Sequence, residues 1–500
     1  MKSRCPVKWY RGFLFLPLFL FLLGCASFSS QRIPQRLERS RPCQEFFERL
    51  DEKVREAGVR DASGFSVPGF PYLRTNRFLS ALKHRLQDGQ EREIWLRWMQ
   101  ELDLRSRKKE IGNLPDEMVL SLTSKEQPDR ENLYRQVESC SSELLTHDQA
   151  RPDFYSLLRS FVDVPDEYSF FLRTVGLYPI VALPVALVTE NSREKMRKRF
   201  EADLGDLPVD GSLRAFVPGQ GISLNEEELW KIIEASRENP LRIPLPDSVQ
   251  EKRLVQAFAP IFIQDVAEPY DLPGRVVWRN HRTEVESEKP TVYYYLSHAF
   301  LKGEPILQIN YAIWYSERAG ERPPSIEKGH LDGLTIRISL DAQGDVFMVD
   351  AVNNCGCYHL FTPHRERVDR FVSKPLMFDA MVPQWLPDIS LEERLGIRIN
   401  SGWHQVQRLI SAKEAPRPVP YDLVPYDVLE ALPREDGRIE SIFDARGIAK
   451  GSQRVERFIL FSIGIPSVGS MRQRGHHAIE LIGRSHFDDP HLFDQNFLFK

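Results

Sequence analysis

The sequence predicts an α+β protein, with a helical N-terminal domain followed by a largely antiparallel, β-rich C-terminal domain. Three observations carry this. Apolar residues recur at three-to-four spacing from Cys43 to about Phe200, as helices with one buried stripe require. After residue 290 the pattern becomes alternation among aromatic and β-branched residues, as half-buried strands require. A length of 500 residues also exceeds what one hydrophobic core usually supports. Hydrophobic residues at 42% and charged residues at 28% exclude a wholly disordered chain and a polytopic membrane protein. A formal charge of −4 carries no basic surplus, so nucleic acid is not an expected partner.

The N-terminus reads as an address. Lys2, Arg4, Lys8 and Arg11 precede an uncharged, apolar run from Gly12 to Leu23. Twelve residues match a secretory h-region and fall short of the roughly 20 that span a bilayer. The run closes on Leu22-Leu23-Gly24-Cys25, which resembles the lipobox of bacterial lipoproteins. That resemblance implies cleavage before Cys25 and lipidation of its thiol, so the membrane becomes a partner through the N-terminal lipid. Ala26 stands where the inner-membrane retention aspartate of the enterobacterial family would be. In a Gram-negative cell this implies the outer membrane, facing the periplasm. Losing four basic residues with the leader takes the charge from −4 to −8. The expected organisation is a signal peptide over 1–24, a lipidated tether over 25–42, a helical domain over 43–200, a connecting region over 201–250 and a β-rich domain over 251–500.

In the helical domain, Phe46, Phe47, Leu50, Val54 and Ala57 mark a first helix that Gly58 stops. Phe78 to Leu86 forms a second after a Thr75-Asn76 start, Ile94 to Leu102 a third, and Leu133 to Leu144 a fourth. Cys43 opens the first and Cys140 lies in the fourth, and this domain holds no other thiols. The two are expected to pair in an oxidising compartment, the alternative being two buried free thiols. Val175 to Val188 is apolar for fourteen residues but contains Pro179 and Pro184, which are expected to interrupt a regular helix. A basic run from Arg193 to Arg199 follows it. An interfacial membrane segment is one reading; the reading adopted is a buried core segment followed by a solvated basic helix.

The connecting region carries one short helix near Asn225 to Ala235. Beyond it, Thr291 to Leu301 and Ile306 to Tyr315 flank Lys302-Gly303-Glu304-Pro305 as a hairpin. Leu334, Ile336, Ile338 and Leu340 alternate with polar residues, Asp341-Ala342-Gln343-Gly344 turns, and Asp345 to Val352 returns as a second hairpin. Ile397 to Ile410 and Arg457 to Ile465 are further strand candidates.

Ten of the twelve histidines follow residue 280, which places any candidate chemistry in the β-rich domain. With Leu340 opposite Asp345, His330 faces Cys355 and Asp332 faces Asn353, give or take a slip of two residues. His330, Asp332, Cys355, Cys357 and His359 then share one end of the sheet. These donor types suit zinc or copper. Three readings stay open: a structural knot closing the sheet, a metal site with zinc as the possible cofactor, and a thiol nucleophile at Cys355 or Cys357 with a histidine base. A second polar group comprises His476, His477, Glu480, His486 and Asp488. His404 shows no partner in the sequence. No phosphate loop, Gly-x-Ser-x-Gly elbow or Cys-x-x-Cys motif is present. The expected function is a membrane-anchored envelope lipoprotein with a binding or structural role. The alternative is a zinc-type periplasmic hydrolase built on the hairpin-end cluster.

Overall fold

The computed structural model describes residues 40–123, 126–374, 377–389, 393–412 and 418–500. The expected leader, Cys25 and most of the expected tether lie outside the described residues. The fold is α+β: helices dominate the N-terminal part and strands the C-terminal part.

The helical part is built from Arg41–Ala57, Arg77–Leu82, Gly89–Asn113, Asp116–Thr123, Arg130–Gln149 and Phe154–Phe161, with a small hairpin of β1 (Phe65–Val67) and β2 (Phe70–Thr75). The expected punctuation is present. Gly58 ends the first helix in the left-handed region (φ 66°), and the Asn76 side chain accepts from the Leu79 N–H at the start of the second. Asp88 and Glu91 form a capping box for the long third helix. Phe46, Phe47, Leu50, Trp95, Met99, Leu133, Val137 and Leu144 make one core. Cys43 and Cys140 are bridged as expected, with Cα atoms 5.1 Å apart and 97 residues between them in sequence. Inside this part Arg74 and Arg107 are almost fully buried and are neutralised by Asp103 and Glu110.

The C-terminal part contains β3 (Ser212–Pro218), β4 (Ile261–Val266), β5 (Arg275–Arg279), β6 (Arg282–Glu286), β7 (Thr291–Leu301), β8 (Glu304–Arg318), β9 (Gly329–Leu340), β10 (Val346–Asn353), β11 (Leu360–Pro363), β12 (Val368–Phe371), β13 (Arg394–Ile399), β14 (Val406–Ala412) and β15 (Pro418–Pro425). All but the β5–β6 hairpin and β12 belong to a ten-stranded mixed sheet in the order β11-β10-β9-β8-β7-β15-β3-β4-β13-β14. Most neighbours are antiparallel, but β15 runs parallel to β3 and β7, and β13 runs parallel to β4. Both expected hairpins form, as β7–β8 and β9–β10, and Ile397 to Ile410 divides into the β13–β14 hairpin.

Four expectations change. Residues 201–250 are no mere connection, because β3 lies inside the sheet and the helices Glu226–Ser236 and Ser248–Phe258 pack Ile232, Ile233, Leu254 and Val255 onto its face. Arg457 to Ile465 is not a strand; it is a short helix, Glu456–Ile459, followed by a 3₁₀ turn. The prolines do not break the helix Tyr178–Glu201. Pro179 sits in its first turn, where a missing N–H costs nothing. Nor is Val175 to Val188 a buried core segment, since Ile180, Leu183, Leu187 and Val188 point into solvent.

The two parts are joined by charge and by packing. Lys109 pairs with Glu430 and with Asp427 (3.0 Å), and Gln473 bridges Asp61 (3.0 Å) to Glu430 (2.9 Å). Phe300 from β7 stacks on Phe78 at 5.1 Å and belongs to the helical core.

Candidate functional site: a dithiol in a buried charge cluster

The site begins where β9 and β10 part. β9 enters through Gly329 (φ 152°) and Leu331 (φ 57°), and β10 leaves through Asn353 into a tight turn. In that turn the Gly356 N–H donates to the Asn353 carbonyl (2.7 Å) and the Asn353 N–H to the Cys357 carbonyl (3.1 Å). Gly356 has φ 92°, and a Cβ there would stand 2.3 Å from the Ala478 carbonyl oxygen, so glycine is required. This turn sets the Cys355 and Cys357 thiols side by side, near enough for each to shift the ionisation of the other. Neither is in a disulfide; Cys355 is buried and Cys357 is partly exposed.

Beside them lies a chain of charges. Arg318, from the end of β8, donates to both oxygens of Asp332 (3.0 and 2.9 Å) and to Glu327 (2.9 Å). Asp332 also meets His404 Nδ1 at 2.8 Å, while His404 Nε2 meets Asp271 at 3.2 Å. The imidazole stacks on Tyr315 with ring centroids 3.8 Å apart. Burial opposes charge on His404, yet its bonds to Asp271 and Asp332 outweigh it and raise its pKa. Glu327 additionally accepts from Tyr358 (2.8 Å) and Trp403 Nε1 (3.0 Å).

These surroundings set the thiols apart. The neighbouring Cys357 thiol, against burial, and the nearby Arg318 lower the pKa of the Cys355 thiol. The same contact and burial push Cys357 up. Burial, then the charges of Cys355 and Glu327, raise Glu456 to about 8. Arg454 and Arg472 add positive charge within electrostatic reach of Cys355. The arrangement is a dithiol whose Cys355 ionises more readily than Cys357, a neighbouring carboxyl group with a raised pKa, and three guanidinium groups, of which Arg318 is held by carboxylates and Arg454 and Arg472 by backbone carbonyls.

The five residues expected to share a metal are not assembled around one point, and the physical cause is local. Leu340 pairs with Val346, and beyond an irregularity at Val346–Met348 the register is two residues displaced, ending at Leu334 opposite Asn353. The positive φ at Leu331 breaks the alternation that would align His330 with Asp332. The His330 ring instead lies 3.4 Å from Thr283 Oγ1, and burial, with Arg282 beside it, lowers its pKa to about 4. Asp332 is committed to Arg318 and His404. His359 turns to Asp350 (2.9 Å), which Arg337 also holds with two bonds. Among the described residues no group of three or more His, Cys, Asp and Glu side chains is arranged to hold a metal ion.

The second polar group is dispersed too. His476 bonds Glu167 (2.9 Å) and the Ala62 carbonyl (2.6 Å), His477 lies 3.7 Å from Asp488, and His486 lies 3.3 Å from Asp166. Glu480 is raised to about 7 by burial. These are buried contacts that fasten residues 166–168 to the C-terminal segment, and they surround no common point. Sequence reasoning missed His404 as the centre of the charge chain: its partners lie 72 and 133 residues away, and no local pattern links them.

A cleft of about 390 Å³ separates the helical part from the sheet; in it His298 is tied to the Pro244 carbonyl (2.7 Å) and packed against Phe78 and Trp98. A larger cavity of about 1000 Å³ lies between the helices Glu226–Ser236 and Ser248–Phe258 and the sheet. Neither is lined by Cys355 or Cys357. Comparison with protein-family models, with curated proteins and with solved structures finds no match for this chain.

Proposed function

We propose that this protein is a lipid-anchored envelope protein whose working group is the Cys355-Gly356-Cys357 dithiol, which interconverts with a disulfide by thiol exchange. The anchor reading rests on Leu22-Leu23-Gly24-Cys25, and Ala26 in place of a retention aspartate supports the outer membrane, facing the periplasm, in a Gram-negative cell. The observation that carries the chemistry is two adjacent, unbridged thiols beside the fixed guanidinium of Arg318. A bridge across a single glycine is strained and therefore easily reduced. A stabilised Cys355 thiolate favours the reduced form further, so the disulfide form is oxidising.

A substrate thiolate attacks Sγ of Cys357, the less buried of the two residues; the Cys357–Cys355 bond breaks, and Cys355 leaves as the thiolate beside Arg318. The second substrate thiolate attacks the substrate sulfur of the mixed disulfide, releasing Cys357, which takes up a proton. One dithiol loses two electrons and one disulfide gains them. A small-molecule disulfide, attacked in turn by this dithiol, restores the oxidised form.

The test uses full-length protein treated with glutathione disulfide, desalted, and mixed with a synthetic peptide carrying two cysteines. The expected result is about one peptide disulfide formed per chain, abolished by Cys355→Ser or Cys357→Ser. Wild-type protein that leaves the peptide reduced, or that oxidises it equally well without either cysteine, overturns the reading.

A further inference from the structure

Twelve of the 22 exposed large apolar side chains among the described residues fall in two short stretches, 170–188 and 455–461. The first supplies Phe170 (70% exposed) and Phe171, and then Leu183 (71%) and Leu187 (75%) one helical turn apart. The second supplies Val455, Phe458, Ile459 and Phe461. The two stretches are one surface. The Ser169 N–H donates to the Gly464 carbonyl (2.7 Å) and Arg173 Nε to the Ile463 carbonyl (2.8 Å). Gly176 packs so closely that a Cβ would stand 2.4 Å from Ser462. Beneath them Tyr168, Ile463, Ile465, Val468 and Ala478 form a separate small core, with Val185 packed against it. The face is therefore fastened from below, and its outer side is exposed among the described residues. Twelve such side chains expose on the order of 1,000 Å² of apolar surface, above the few hundred Å² that a monomer's largest patch normally reaches.

We infer that this face seats on the surface of a phospholipid bilayer, with its aromatic and aliphatic side chains in the headgroup–acyl boundary. The reading rests on the lipid anchor proposed above, and three observations select a membrane over other occupants. Between residues 170 and 199 six basic and two acidic residues leave a charge of +4, in a chain whose processed form is −8. Lys195 and Lys198 are exposed, and the Arg457 guanidinium lies 4.6 Å over the Phe458 ring. Exposed basic side chains in the same segments as the apolar face fit anionic lipid. The helix Tyr178–Glu201 has an apolar N-terminal half and a charged C-terminal half, and no helix among the described residues is long and apolar enough to cross a membrane. Its apolar half can lie along the interface. Finally, the 16 residues from Cys25 to Ser40 span at most about 55 Å when fully extended, so the anchor holds the folded part within that distance of the bilayer.

The experiment is hydroxyl-radical footprinting of the full chain on vesicles of phosphatidylethanolamine and phosphatidylglycerol. Wild type is compared with Leu183→Glu/Leu187→Glu, which alters only the first stretch. Intact mass reports whether Cys25 carries lipid, so failure of the anchor is seen separately from failure of the face. The expected result is about five-fold less oxidation of Phe458 and Phe461 in the wild type than in the variant. Phe371, exposed elsewhere on the molecule, should react equally in both. Equal oxidation of Phe458 in both proteins overturns the inference. Protection that persists without vesicles, or that rises with protein concentration at fixed lipid, overturns it too, because the face is then covered by another segment of the chain or by a second copy.

Discussion

The helical part and the β-rich part each carry a pair of cysteines, and the two pairs are opposites. Cys43 and Cys140 lie far apart in sequence, close a 97-residue separation, and staple two helices through a bridge set among apolar side chains. Cys355 and Cys357 lie one residue apart, enclose almost no chain entropy, and remain thiols within a cluster of arginines and carboxylates. Loop-closure entropy makes the first pair structural. The second has little to stabilise as a bridge, and its surroundings act on the thiolate instead. The difference teaches that spacing and local charge together separate a staple from a reactive pair, where cysteine number alone does not.

The largest effect expected concerns the charge cluster. Arg318→Leu leaves Asp332 and Glu327 buried beside the thiols with one cation fewer, and should cost about 3–5 kcal/mol in urea unfolding, as for other broken buried pairs. It should also raise the Cys355 thiol, read as a higher midpoint in the pH dependence of iodoacetamide alkylation. An unchanged midpoint would remove Arg318 from the account of the thiolate. Next in size, Cys43→Ala/Cys140→Ala should lower stability by about 2–4 kcal/mol, while Cys355→Ala/Cys357→Ala should change it by less than about 2 kcal/mol. Equal losses would erase the distinction between the pairs.

The smallest effect is one of pH. Burial and the negative charges of Cys355 and Glu327 raise Glu456 to about 8, above its ordinary carboxylate value. Stability from its protonated form is therefore present at low pH and is lost as pH rises from about 5 towards 8. Glu456→Gln keeps the group neutral and should flatten that slope, leaving the variant about 1–2 kcal/mol more stable relative to wild type at pH 9 than at pH 5. Parallel stability curves would show that Glu456 is ionised in the fold throughout this range.

How much of this was legible in the sequence follows from where the information lies. The Cys43–Cys140 bridge was, because two helical periodicities and two thiols left one pairing. The β9–β10 hairpin was as well, since alternation from Leu334 to Leu340 and a polar turn are local signals. Its far end was not: the pairing stops at Leu334–Asn353, the chain turns at once through Gly356, and the positive φ at Leu331 turns His330 aside, none of which a local pattern announces. His404 was illegible for a different reason: its carboxylates come from β9 and from the turn after β4, which only the sheet order brings together. The stretch Val175 to Val188 was misjudged because composition reports how apolar a helix is, not which side of it meets the protein.

The central claim is that the two cysteine pairs differ in kind, and a redox titration of the full chain tests it most directly. Protein is equilibrated across glutathione buffers, alkylated, and mapped by mass spectrometry at both pairs in the same sample. The account predicts that Cys355 and Cys357 pass together from dithiol to disulfide within the glutathione range, while Cys43 and Cys140 stay bridged across it, below about −300 mV. A Cys355–Cys357 pair that stays bridged wherever Cys43–Cys140 does, or that remains dithiol under the most oxidising buffer, contradicts it.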